Sequence, residues 1–175
     1  SMNITNISVT PLHVAFEEVV AKAAARGVRV TGTEIVGLVP KSTLIDAGKY
    51  FLRKQQRSVG ISEKEIMKIA IKSMGLDDLK PFDTKDKVIE YMMEDDSEDK
   101  LVDMSVSDFA YETASESAAP GGGSISAYMG ALGAALGAMV ANLSSHKAGW
   151  DARWEEFSNY AECGQSLLNE LLFLV

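Results

Sequence analysis

The chain has 175 residues and a mass of 18.9 kDa, enough for one or two domains. Apolar residues make up 46% and charged residues 24%, ordinary globular values that exclude wholesale disorder, collagen and mucin-like stalks. A net charge of −8 repels phosphate backbones, so no nucleic-acid partner is expected.

Residues 1–57 read as alternating strand and helix. Residues 1–5 show neither the basic nor the apolar region of a signal peptide. Residues 2–9 alternate and are rich in Ile, Thr and Val, the pattern of a strand. Thr10 is placed to cap a helix that Pro11 begins, Leu12, Phe16, Val19 and Ala23 follow at helical spacing, and Gly27 closes it. Residues 28–31 and 33–40 read as one or two further strands. Leu44, Ile45, Ala47, Gly48, Phe51 and Leu52 then mark a second helix. This β-α-β-α order predicts part of an α/β sandwich, with a sheet so short that it wants more strands.

Residues 58–94 read as helical. Ser62-Glu63-Lys64-Glu65 forms a capping box, Ile66, Ile69, Ala70 and Met74 follow at helical spacing, and Gly75 ends the turn. A second short helix is expected over residues 84–93. The acidic run Glu94-Asp95-Asp96-Ser97-Glu98-Asp99 cannot bury itself and reads as an exposed linker. It lacks the glycine and terminal glutamate of a calcium loop.

From residue 105 the pattern is helical throughout. Ser105-Val106-Ser107-Asp108 is another capping box. After Ala118-Ala119-Pro120-Gly121-Gly122-Gly123-Ser124 an Ala/Gly helix runs to about Asn142. Gly130, Ala134 and Ala138 form one of its stripes and Gly133, Gly137 and Ala141 another, while Tyr128, Leu132, Leu136 and Met139 supply bulk. Each interior glycine costs about 0.5–1 kcal/mol relative to alanine, so close approach by a neighbour and a central place in a bundle are expected. Residues 117–145 hold no Asp, Glu, Lys or Arg, and small-xxx-small spacing also pairs helices in membranes. Few Leu, Ile or Phe, no interfacial anchor and a plainly amphipathic next helix favour the reading without a membrane. That next helix carries Trp150, Trp154, Phe157, Tyr160, Ala161, Gly164, Leu167, Leu168, Leu171 and Leu172, the strongest periodic signal in the chain. Cys163, the single cysteine, is expected to pack within it; alone it excludes an intrachain disulfide and suits a reducing, cytoplasmic setting. The last residues stop on an apolar stripe without a glycine cap, as in a piece of a longer protein or an end docked into a core.

Gly121, Gly122, Gly123 and Ser124 are the leading candidate site. Adjacent glycines at a helix N-terminus leave backbone N–H groups uncovered where the dipole favours a carboxylate, a phosphate or an amide-like oxygen. No Gly-Lys-Ser/Thr follows, so this is not a P-loop, and the alternative is a tight interhelical turn. Asn142 is either a helix cap or a substrate contact. Lys147, after His146, is either solvated or faces a neighbouring subunit's glycine turn. His13 and His146 lack partners at ligand spacing, and no metal is expected. Asp151, Glu155 and Glu156 read as a solvated face.

These pieces, in this order, resemble the formiminotransferase-cyclodeaminase family. The match is carried by Thr10-Pro11-Leu12-His13, by Gly32-Thr33-Glu34-Ile35-Val36-Gly37-Leu38-Val39-Pro40, by Gly75-Leu76 to Pro81-Phe82 and by Ile89-Glu90-Tyr91. Ser105-Val106-Ser107-Asp108-Phe109 follows, and most specifically the Pro-Gly-Gly-Gly-Ser stretch with Gly133-Ala134-Ala135-Leu136-Gly137-Ala138-Met139-Val140. The resemblance implies an α+β protein: residues 1–93 from the transferase's C-terminal subdomain, a linker over 94–104, and the first helices of an all-α cyclodeaminase bundle over 105–175. It implies a bifunctional folate enzyme of histidine degradation. One activity moves the formimino group from N-formimino-L-glutamate to tetrahydrofolate, a substrate, and the other closes 5,10-methenyltetrahydrofolate with loss of ammonia. It further implies a homo-oligomer through the helical domain. The family's catalytic histidine lies upstream of this stretch and its catalytic aspartate would follow Leu174-Val175, so the chain alone is expected to be inactive. A methenyltetrahydrofolate cyclohydrolase-type domain and a non-catalytic folate-binding or assembly module are the alternatives.

Overall fold

The computed structural model describes residues 2–94 and 100–175. Of the acidic run expected as a linker, residues 95–99 lie outside the described residues, as does Ser1. The chain divides into two compact units, residues 1–56 with 62–94, and residues 57–61 with 95–175.

The first unit contains helices α1 (Leu12–Ala24), α2 (Lys41–Lys54), α3 (Glu63–Met74), α4 (Thr84–Lys87) and α5 (Ile89–Met93). Its core is the seam between α2 and α3. Leu44, Ala47 and Phe51 meet Met67, Ala70 and Met74, closed by Val39, Leu76 and Val88, with Leu12 and Phe16 of α1 packed alongside. Gly48 makes the seam tight: a Cβ there would stand 2.3 Å from the Ile66 carbonyl oxygen. Ser62 accepts the Glu65 N–H to start α3, and Gly75, at φ +61°, ends it. Helix α2 follows Pro40 and has no side-chain cap of its own. The Glu90 carboxylate of α5 serves instead, accepting the Lys41 N–H at 2.7 Å. Around it the Lys41 ammonium pairs with Glu63 at 3.0 Å, and the Tyr91 hydroxyl donates to Glu63 at 2.9 Å. Burial, and then that hydrogen bond, push the Tyr91 phenol above its ordinary pKa.

The expected α+β sandwich does not form. Of the described residues 63% are helical, and no strand occurs among them. Residues 2–9 are irregular with a turn over 7–9, and residues 28–38 run without a ladder partner, leaving Val36 87% exposed. β-branched alternation fits a pleated surface, but a strand exists only where a second one meets its N–H and C=O groups. That happens at one point, the parallel bridge between Val39 and Val88. The Val39 N–H donates to the Lys87 carbonyl at 2.9 Å, and the Ile89 N–H donates to the Val39 carbonyl at 3.1 Å. The same bridge splits the helix expected over residues 84–93 into α4 and α5, because Val88 is extended and fully buried. Thr10 is also not the cap of α1: Pro11 holds that position, with no side-chain hydrogen bond.

The second unit contains α6 (Val106–Thr113), α7 (Gly122–Ser145) and α8 (Trp154–Phe173). Ser105 caps α6 by accepting the Asp108 N–H at 3.1 Å. Helices α7 and α8 form an antiparallel hairpin joined through Gly149, at φ +84°, and a 3-10 turn over Asp151–Arg153. Small residues line their contact. Ala127, Ala131, Ala138, Ala141 and Ala161 are buried, and a Cβ on Gly164 would stand 3.0 Å from the Ala138 Cβ. Residues 57–61 lie against this hairpin. The Val59 N–H donates to Ser158 Oγ at 3.0 Å, and a Cβ on Gly60 would sit 2.2 Å from the Ala161 carbonyl carbon.

The close approach expected of the α7 glycines is therefore made by Gly164 and Gly60. Gly130 meets only Leu171, and nothing lies within 4 Å of a Cβ at Gly133 or Gly137. Among the described residues nothing covers the second face of α7. Met129 (68%), Leu136 (59%) and Leu143 (68%) are exposed, as are Leu132 and Val140. By length and composition α7 is apolar enough to cross a membrane. Cys163, expected to pack, is exposed.

Two consequences can be measured. Gly48→Ala drives a Cβ into backbone that cannot turn aside, so it lowers unfolding stability by roughly 1–3 kcal/mol; an unchanged denaturation midpoint would place α2 and α3 further apart. His13 stacks on Tyr50 at 4.4 Å with Nδ1 buried and unpartnered, and burial lowers its pKa against the opposing pull of Asp46 and Glu17. The stability contributed by neutral His13 is complete above its unfolded pKa and is lost as pH falls toward the lower folded value. Between pH 7.5 and 5.5 the wild-type unfolding midpoint therefore drops further than that of His13→Phe, and parallel curves would refute this.

Candidate functional site

The candidate corner is built where α7 begins. Pro120 follows a cis peptide bond, and Gly121 is the N-cap at φ −100°, ψ −174°, with no side-chain cap. The first helical bond runs from the Ile125 N–H to the Gly121 carbonyl at 3.1 Å. Helix geometry thus leaves the N–H groups of Gly122, Gly123 and Ser124 without intrahelical acceptors. No acidic side chain stands in the first turn, so the positive end of the dipole is uncompensated by α7's own residues. Gly122 and Gly123 are exposed, and a Cβ at either would meet nothing within 4 Å, so the space beside their α-carbons is open.

The end of α8 stands at the same corner. Ser124 Oγ donates to the Val175 carbonyl at 2.8 Å. Behind this contact Leu171 lies against Gly130, where a Cβ would come within 3.3 Å of its side chain. The structure thus brings together Gly121, Gly122, Gly123, Ser124 and the last turn of α8, which can hold one anionic or carbonyl oxygen by backbone donation.

Asn142 and Lys147 are not part of this corner. Asn142 stands about 27 Å along α7 from Ser124, at 1.5 Å per residue. It does not cap the helix, which runs on to Ser145. Its Nδ2 donates to the Gly60 carbonyl at 2.7 Å, and its Oδ1 is buried without a partner. The Lys147 ammonium lies 4.4 Å from the Trp150 ring centroid. Trp150 in turn stacks on Phe157 at 5.2 Å, with the Arg153 guanidinium over both rings. Arg153 also forks onto Glu156 at 2.8 and 2.9 Å, and these hydrogen bonds hold the Glu156 carboxyl below its ordinary pKa. Asp151, Glu155 and Glu156 are exposed, as expected of a solvated face, and Glu156 is paired on it. Among the described residues no group of three or more His, Cys, Asp or Glu side chains is placed to hold a metal.

Sequence reasoning missed the seating of residues 57–61 and the Ser124–Val175 closure. The first has a trace in the pattern: Ser158, Ala161 and Gly164 form a small-residue stripe on α8 against which backbone can lie. The second joins residues 51 positions apart, with no local signal.

Comparison with known proteins finds two sequence models that match the chain in succession. A sequence model described as "Formiminotransferase domain" matches residues 1–94, and one described as "Formiminotransferase-cyclodeaminase" matches residues 105–175. The formimidoyltransferase-cyclodeaminase of Mus musculus is 39% identical over 152 residues, covering 86% of this chain and 28% of that protein. That of Gallus gallus is 37% identical over 148 residues, or 84% and 27%. The glutamate formimidoyltransferase of Thermoplasma acidophilum is 45% identical over 71 residues, or 40% and 23%. The chain spans little more than a quarter of the length of the two-function relatives it matches. With one sequence model covering residues 1–94 and a second covering residues 105–175, the chain belongs to the formiminotransferase-cyclodeaminase family.

Proposed function

We propose that this chain is the junction of a bifunctional folate enzyme. Residues 1–93 would be the end of the formiminotransferase part, residues 94–104 a linker, and residues 105–175 the start of the cyclodeaminase. The transferase moves the formimino group of N-formimino-L-glutamate to N5 of tetrahydrofolate. In the cyclodeaminase, N10 attacks the formimino carbon, a general acid protonates the departing nitrogen, and ammonia leaves 5,10-methenyltetrahydrofolate. The reading carries with it a cytoplasmic setting, suited to an unpaired cysteine.

One observation supports a role in the second step: the uncapped triglycine start of α7, open to its surroundings and joined at the same corner by the end of α8. In this reading the N–H groups of Gly122 and Gly123 hold an anionic or carbonyl oxygen of the folate. A carboxylate carried by chain following Val175 would emerge beside them, where it can serve as the acid.

Lys147 reaches such a site only from a second copy, and the bare face of α7 suits one. Met129, Leu132, Leu136, Val140 and Leu143, with Gly133 and Gly137 among them, make an apolar face whose centre lies near Leu136. Two copies packed antiparallel about that centre would bring Lys147 of one level with Ile125 of the other. We therefore propose a homo-oligomer through the helical unit and no membrane partner.

Gly122→Val fills the open space over the turn without a steric clash. It is expected to abolish tetrahydrofolate binding measured by calorimetry while leaving the unfolding midpoint near that of wild type; retained affinity would refute the site. Leu136→Glu places a charge on the bare face, and sedimentation is expected to show monomers in place of dimers. Dimers persisting in that variant would move the interface elsewhere.

A further inference from the structure

Connecting segments run over protein surfaces, because a buried one carries backbone groups that no helix or ladder satisfies. The connection between α2 and α3 departs from this. It leaves α2 through Gln56, at φ 54°, and Ser58, Val59 and Gly60 are then buried. Their backbone is satisfied by side chains far away in sequence. The Val59 N–H donates to Ser158 Oγ at 3.0 Å, and Asn142 Nδ2 donates to the Gly60 carbonyl at 2.7 Å, partners 99 and 82 positions distant. The Gly60 N–H donates to Ser58 Oγ at 3.2 Å, within the segment. Ser158 is itself only 3% exposed and Ala161 fully buried, so the backbone of Gly60 lies directly on α8.

These three residues have two allegiances. By contacts they belong to the second unit, yet the helices on either side of them, α2 and α3, form the core of the first. If the α7–α8 hairpin opens, the Val59 N–H and the Gly60 carbonyl lose their partners, and the Val59 side chain, 3% exposed, enters water. The joined ends of α2 and α3 then lose what fixes the chain between them. We infer that Ser58-Val59-Gly60 is a latch: clamped by Ser158 and Asn142, it passes the stability of the hairpin to the α2–α3 seam, so that the two units unfold as one. The latch is independent of any ligand at the glycine turn.

The test follows each unit separately in the whole chain. Both tryptophans, Trp150 and Trp154, lie in the second unit, so their fluorescence reports that unit, while hydrogen exchange from Leu44 to Leu52 reports α2. The wild-type chain is expected to lose both signals at one urea midpoint. Gly164→Ala crowds Ala138 without touching the latch. It is expected to lower the tryptophan midpoint and to hasten exchange in α2 by about fivefold or more. In the double variant Ser158→Ala with Asn142→Ala the two midpoints are expected to separate. Adding Gly164→Ala to that variant is then expected to lower the tryptophan midpoint while α2 exchange stays within about twofold. Separate midpoints in the wild-type chain, or α2 exchange indifferent to Gly164→Ala there, overturn the latch even if the double variant fails to fold. An α2 that still follows Gly164→Ala once both clamping bonds are gone overturns it as well, because the coupling then runs by another route.

Discussion

The second unit depends on how closely two helices can approach. Helices α7 and α8 meet through alanine and glycine, with Gly164 set against Ala138 so that even one added methyl would touch at 3.0 Å. At that range dispersion between backbones replaces the large interlocking side chains of an ordinary core. The consequence is geometric. Large residues are excluded from the contact, so the axes are held close and the two ends of the hairpin are brought into register. One end then carries the glycine turn with the tail of α8. The other carries Asn142 and the Trp150 stack, with residues 57–61 laid along α8 at Gly60.

The first unit is organised by a substitute cap. Proline before α2 leaves that helix without a local side-chain acceptor, and Glu90 supplies one from 49 residues away. The carboxylate complements the helix dipole, and the neighbouring Lys41–Glu63–Tyr91 group joins α2, α3 and α5 at one point. This network gives the short α5 a fixed place although it is too short to persist by propensity alone.

Much of this was legible in the sequence, for physical reasons that are local. Ser62 and Ser105 start helices because a hydroxyl can satisfy a free N–H, and Gly75 ends one because only a residue without Cβ takes φ +61° at little cost. The heptad-like spacing of α8 and the uncapped glycine turn were legible in the same way. The strands were not. Val28, Val36 and Val39 prefer extended backbone, yet pairing is a property of two segments, and Val39 alone finds a partner, in Val88. That same long-range bridge broke a helix whose local pattern was unbroken. The candidate site was half legible: adjacent glycines announce open amides, whereas the separation of Asn142 and Lys147 from them follows from the length of α7, and the closure by Val175 from the antiparallel return of α8.

The neutral stretch through which α7 enters the second unit has an electrostatic corollary. Residues 117–145 carry no acidic or basic side chain, while the chain as a whole carries −8. The glycine turn is therefore a gap in an otherwise negative field. An anion approaching it meets repulsion at long range and favourable amide dipoles only on arrival. Added salt shortens the reach of the repulsion, with a Debye length of about 8 Å at 0.15 M, but barely screens donors in direct contact. An anion site of the kind proposed at this corner would be reached faster as ionic strength rises, the reverse of a site that recruits anions with lysines and arginines.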